Sequence, residues 1–94
     1  MLYTSNIRSK ENDALFEAIL KLENIEECYK FFEDVCTINE IQAMSQRLNV
    51  AKLLHENYTY SQIEKMTGVS TATISRISKC LHYGPGGYKI VLEK

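Results

Sequence analysis

The residues best placed for molecular recognition run from Ser70 through Thr71, Ala72 and Thr73 to Arg76. Ser70 suits a helix N-cap. Thr71, Ala72 and Thr73 then open a helix with short side chains, which let a backbone approach base edges closely. Hydroxyls bond bases or phosphates, a methyl packs on thymine, and Arg76 bonds phosphate. A first helix from Tyr60 precedes this one, and Gly68 between them suits the positive φ of a tight turn. Ile63 and Met66 share one face of the first helix, Ile74 and Ile77 one face of the second, with Val69 between. Burying these five together would fix the angle between the helices. The pattern is a helix-turn-helix, a common device for placing a helix in the DNA major groove.

Other chemistry is poorly supplied. The run Gly84-Pro85-Gly86-Gly87 lacks the G-K-[ST] ending of a phosphate loop. No Ser/His/Asp or Cys/His set is suggested by spacing, so the chain does not read as an enzyme. Cys28, Cys36 and Cys80 form no C-x-x-C pair and read as reduced thiols, buried or half-buried. Cys80 with His82 falls far short of the roughly four ligands of a zinc site, and no metal is expected. His55 falls near a helix C-terminus, where it favours the helix dipole.

Charge is divided along the chain. Residues 1–40 hold four bases against nine acids, a net of −5. Residues 41–94 hold seven bases against three acids, a net of +4. The basic half coincides with the helix-turn-helix and suits a polyanion. The overall charge of −1 implies few phosphate contacts per subunit and salt-sensitive binding. Lys65 and Lys79 are the candidates for further backbone contacts.

The elements that must position these residues read as helices. Lys10 to about Leu22 carries Ala14, Leu15, Ala18, Ile19 and Leu22 on one stripe. Asn24 and Glu27 form an N-cap and N3 pair, opening a short helix through Tyr29, Phe31, Phe32 and Val35. Thr37 and Glu40 repeat the pair for a long helix to about Glu56, with Ile41, Met44, Leu48, Val50, Ala51 and Leu54 as apolar positions. Thr59 and Gln62 cap the next helix. After the break at 84–87, Tyr88, Ile90, Val91 and Leu92 form a short helix or extended tail. The division is one domain over 1–94: about 10–56 a helical dimerisation and core region, 59–81 the helix-turn-helix, 84–94 the tail. With 94 residues, 45% of them apolar, the chain has a marginal core of its own and gains from self-association. No run of eighteen apolar residues and no secretory leader is present, so the cytoplasm is expected and a membrane is not.

The stretch Ala72-Thr-Ile-Ser-Arg76 with Ser78-Lys-Cys-Leu81 resembles the helix-turn-helix of the tryptophan repressor family. The tail Cys80-Leu-His-Tyr-Gly-Pro-Gly-Gly-Tyr88 is similar to its YerC/YecD branch. The resemblance runs from about Val35 to Tyr88. It implies an all-α fold of about six helices, intertwined as a homodimer through the N-terminal helices. It also implies two recognition helices about one DNA turn apart and an inverted-repeat site on double-stranded DNA. The family's tryptophan site uses an arginine on the long helix, another on the recognition helix, a glycine after the latter, and a small hydroxyl one turn on. Arg76 matches the second arginine, and the long helix offers Gln46 or Arg47. Ile77 stands where the glycine would be, and Cys80 at the hydroxyl position. A β-branched side chain at 77 crowds a flat indole, so tryptophan is not the expected ligand and no cofactor is expected. Another small effector remains open. Ser61 and Glu64 stand where the tryptophan repressor has bases near its operator, so a different operator is expected.

The reading is therefore a sequence-specific DNA-binding transcriptional regulator, a repressor. Thr71, Ala72 and Thr73 read bases, and Ser70, Arg76 and Lys79 hold the helix on phosphate. The alternative is a protein-interaction module whose helix-turn-helix no longer binds DNA, with the acidic, aromatic N-terminal half as its partner surface.

Overall fold

The computed structural model describes residues 4–94. These form six helices and, among the described residues, no strand. In order they are α1 (Lys10–Ile19), α2 (Ile25–Val35), α3 (Ile38–His55), α4 (Tyr60–Thr67), α5 (Thr71–Tyr83) and α6 (Gly87–Leu92). The chain divides into two units at 41/42, early in α3.

In the first unit each helix start is closed by its own side chains. Ser9 Oγ accepts from the Asn12 N–H at 3.0 Å, and Asn24 Oδ1 from the Glu27 N–H at 2.9 Å. Glu27 reaches back, its Oε1 accepting from the Glu23 N–H at 2.9 Å. Acids in both first turns (Glu11 and Asp13, Glu26 and Glu27) complement the helix dipoles. Helix α1 ends at Ile19, short of the Leu22 expected from periodicity. There the chain tightens: Lys21 N–H bonds Ala18 O and Leu22 N–H bonds Ile19 O, both at 3.1 Å and both three residues back. Neither α1 nor α2 contains a buried residue. Phe31 and Phe32 meet edge-to-face, 5.4 Å between ring centres.

At the start of α3, Thr37 and Glu40 form the expected reciprocal pair. Thr37 N–H donates to Glu40 Oε1 at 2.8 Å, which holds the exposed Glu40 carboxyl below its ordinary pKa, and Glu40 N–H donates to Thr37 Oγ1 at 3.1 Å.

The second unit has a sealed core. Val50, Ala51 and Leu53 of α3 meet Ile63 of α4, Val69 of the turn, and Ile74 and Ile77 of α5. Leu54, Tyr88 and Leu92 pack at its edge. Leu53 is thus buried more deeply than Leu54, the residue the periodicity favoured.

Two expectations are corrected here. Met66 is not part of the core; it is 56% exposed. Helix α4 is only eight residues long with Ile63 at its centre, and the inward place beyond Ile63 falls to its i+4 neighbour Thr67. The Thr67 hydroxyl donates to Ile63 O at 2.7 Å and accepts from Val69 N–H at 3.1 Å, drawing Val69 into the core. Cys28 and Cys80 are exposed and only Cys36 is half-buried. Cys28 lies on a helix that buries nothing, and Cys80 lies beside the buried Ile77 and Leu81 without sharing their face.

Candidate nucleic-acid interface

Helix α4 begins with a complete capping box. Thr59 Oγ1 accepts from Gln62 N–H at 3.1 Å, and Gln62 Oε1 from Thr59 N–H at 2.8 Å. It ends at Gly68, whose φ of +75° favours glycine and whose N–H donates to Glu64 O at 2.8 Å. Three residues separate α4 from α5, and Ser70 caps α5 by accepting from Thr73 N–H at 3.3 Å. Buried Val69 ties this turn to the core, so the two helices are fixed by packing as well as by local bonds.

Helix α5 buries Ile74, Ile77 and Leu81, spaced three and four apart. At about 100° per residue, the opposite face belongs to Ala72, Lys79 and Tyr83, with Ser75 and Arg76 on its shoulders. All five are exposed, as are Ser70 and Thr71. The placement of Thr73 corrects the expectation of a freely exposed side chain. It is half-buried, and its Oγ1 lies 3.1 Å from Ser70 Oγ and accepts from Arg76 Nη2 at 3.4 Å. Its hydroxyl is engaged in holding neighbours. Ser75 and Tyr83, absent from the sequence-based site, stand on the outward surface. The signal for Ser75 was available: it lies four residues from both Thr71 and Lys79.

Lys65, Ser61 and Glu64 are exposed on α4. Among the described residues the only ion pair joins Arg8 and Asp13 at 3.6 Å, so Lys65, Arg76 and Lys79 have no carboxylate partner. Unpaired cations of this kind are available to phosphate.

A second feature of the same unit is an open, mainly apolar groove of ≈ 400 Å³ lined by Leu48, Cys80, Pro85, Gly87, Tyr88 and Val91. Burial raises the Tyr88 pKa; the nearby Cys80 adds to this and the Arg47 charge opposes it. Among the described residues no three His, Cys, Asp or Glu side chains gather as a metal site, and no helix is long and apolar enough to cross a membrane.

The profile of the Trp repressor protein family matches residues 10–94. The chain belongs to that family. It is 56% identical over 88 residues to the uncharacterized protein YerC of Bacillus subtilis strain 168, covering 94% of this chain and 85% of YerC. A TrpR-like protein of Eubacterium eligens shares the fold at a TM-score of 0.88, with 53% identity over 93% of this chain and 90% of the other. A Trp repressor-type protein of Staphylococcus aureus matches at a TM-score of 0.86 with 54% identity, covering 93% and 87% of the two chains.

Cys80 lines the groove, and Arg47 lies near enough to influence Tyr88. Gln46 is exposed on α3. Arg76 bonds to Thr73, and Ile77 is directed into the core. The candidate effector positions are thus not gathered in one place: Cys80 lines the groove, Ile77 lies in the core, Arg76 is exposed on α5 and Gln46 is exposed on α3.

Proposed function

We propose that this protein is a sequence-specific, DNA-binding transcriptional regulator of the cytoplasm, a repressor that reads an inverted-repeat operator as a homodimer. The outward face of α5 carries the reading. It presents short polar side chains at its N-terminal end and unpaired cations further along, on a helix fixed from behind by buried Ile74, Ile77 and Val69. Thr71 and Ala72 contact base edges. Ser70, Arg76 and Lys79 contact phosphate, Lys65 of α4 adds a further contact, and Thr73 supports Arg76. The domain is the whole chain, 1–94. Its first unit supplies the dimer contact, consistent with helices that bury nothing within the single chain. Two copies would present two copies of α5 about one DNA turn apart. Ile77, standing where the family has a glycine, favours a regulator that does not take tryptophan.

Selection of duplexes from a random pool, at near-physiological salt and without added ligand, tests this reading. Enrichment of an inverted repeat is the expected result. Arg76→Ala and Thr71→Ala then weaken binding to the selected duplex, and Lys79→Ala lowers the salt slope by about one. A pool with no enriched motif, with or without cell metabolites, overturns it in favour of a protein-interaction module that uses the acidic first unit.

A further inference from the structure

After α5 the chain folds back sharply. Gly84 N–H donates to Cys80 O at 2.9 Å. A Cβ at Gly84 would collide with that same carbonyl, so the close passage of the backbone requires glycine. Pro85 follows with its fixed φ, and Gly86 takes φ +98°. The returning segment, α6, has six residues, too few for a helix to be stable by itself. It is held by Tyr88 and Leu92, which lie one turn apart and pack against the cluster containing Val50, Ile63, Ile74 and Ile77. The desolvation that raises the Tyr88 pKa fits a ring pressed onto that cluster. Helix α6 is in contact with α5, and the cluster on which it packs includes Ile74 and Ile77, the inward residues of the helix whose front is the candidate interface. Tyr88 also shares the groove with Cys80 of α5.

We infer that α6 is an intramolecular clamp that fixes the orientation of α5, making Tyr88 and Leu92 positioning residues for DNA recognition. This deepens the functional reading above and rests on it. The clamp orders the reading helix from within the chain, without a bound small molecule. Its three hinge residues are the ones that let the chain return: Gly84 by close passage, Pro85 by fixed φ, Gly86 by positive φ.

The test compares the full-length wild type with Tyr88→Ala, Leu92→Ala and Tyr88→Phe, by amide hydrogen exchange and by affinity for the duplex the wild type selects. In the two alanine variants, α5 amides lose protection while those of α3 and α4 keep theirs. Affinity for the selected duplex falls by about tenfold or more. Tyr88→Phe keeps the ring and behaves as wild type in both measurements. Unchanged α5 protection overturns the clamp. So does loss of protection in every helix together, which would mark a merely structural role, or a loosened α5 with undiminished affinity. Should Tyr88→Ala fail to fold, Leu92→Ala near the chain end and Gly84→Ala at the hinge read the same effect. If the wild type selects no duplex, the functional reading has failed, and the exchange comparison by itself decides whether α6 holds α5.

Discussion

Val50, Ile63 and Ile74 in the second unit are completely sealed from solvent, whereas Ile25, Tyr29 and Val35 on α2 are each more than half exposed. Both regions are helical, capped by side chains and rich in apolar residues. They differ in where those residues go. Residues 42–94 gather Val50, Ala51, Leu53, Ile63, Val69, Ile74 and Ile77 in one cluster on which Tyr88 and Leu92 of α6 pack, while Met66, Tyr83, Ile90 and Val91 stay exposed. Helices α1 and α2 keep a stripe of Leu15, Phe16, Ile25, Tyr29 and Val35 open to solvent. An amphipathic helix gains its stability from burying such a stripe. The second unit therefore carries its own stability, whereas α1 and α2 leave theirs unburied within the single chain. The charges follow the same division, with acids in the first turns of α1 and α2 and unpaired cations on α4 and α5.

The sharpest way to break this comparison is to truncate one residue of each kind. Ile74→Ala should cost about 2–5 kcal/mol, read as a lowered urea midpoint at every protein concentration. Ile25→Ala should lower the midpoint only in a concentration-dependent way; a loss independent of concentration would show that α2 is buried within one chain. Next in size, Tyr29→Asp places a charge in the α2 stripe. It should raise the dimer dissociation constant by about thirtyfold or more in sedimentation experiments, with the helices of the second unit still protected from exchange. A dimer that survives unchanged would remove α2 from the interface.

Smaller effects refine the account of the second unit. Gly68→Ala forces a Cβ into φ +75° and should cost about 1–2 kcal/mol in thermal unfolding. Thr59→Ala removes the hydroxyl half of the α4 capping box and should cost about 1 kcal/mol. The smallest effect is alkaline. The folded Tyr88 pKa is raised by burial, so the docked ring favours the neutral phenol. Its contribution is complete below the unfolded tyrosine pKa and is lost as pH rises through the raised folded value. Fluorescence or exchange at α6 should show it loosening at high pH, and Tyr88→Phe should abolish that dependence.

Much of this was legible because it is local. Thr37 with Glu40, Thr59 with Gln62, Asn24 with Glu27, and Ser70 before α5 each bond as their spacing indicates. Gly68 takes the positive φ its position requires. Periodicity misled where an element was too short to choose its own inward face. Two turns of α4 offered Met66 or Thr67 beside Ile63, and hydropathy favoured the methionine. The polar Thr67 goes inward because its hydroxyl can bond the backbone of its own helix and of the turn. At the interface, Arg76 and Lys79 were visible from composition and register. The half-buried position of Thr73 and the exposure of Ser75 and Tyr83 depend on which arc of α5 faces Ile63 and Val50.

The sequence by itself determined the first five helices, the caps of α2 to α5, the glycine turn and the placement of basic side chains along α5, and left residues 88–92 open between helix and extended tail. Hydrogen bonds between residues three or four apart, and the conformational needs of glycine, are properties of short segments. Only the tertiary structure decided that Leu53 is buried more deeply than Leu54, that Met66 stays outside, and that α6 returns to pack on the shared cluster. Those outcomes depend on which surfaces meet across the chain, and a residue's burial is fixed by its neighbours in space.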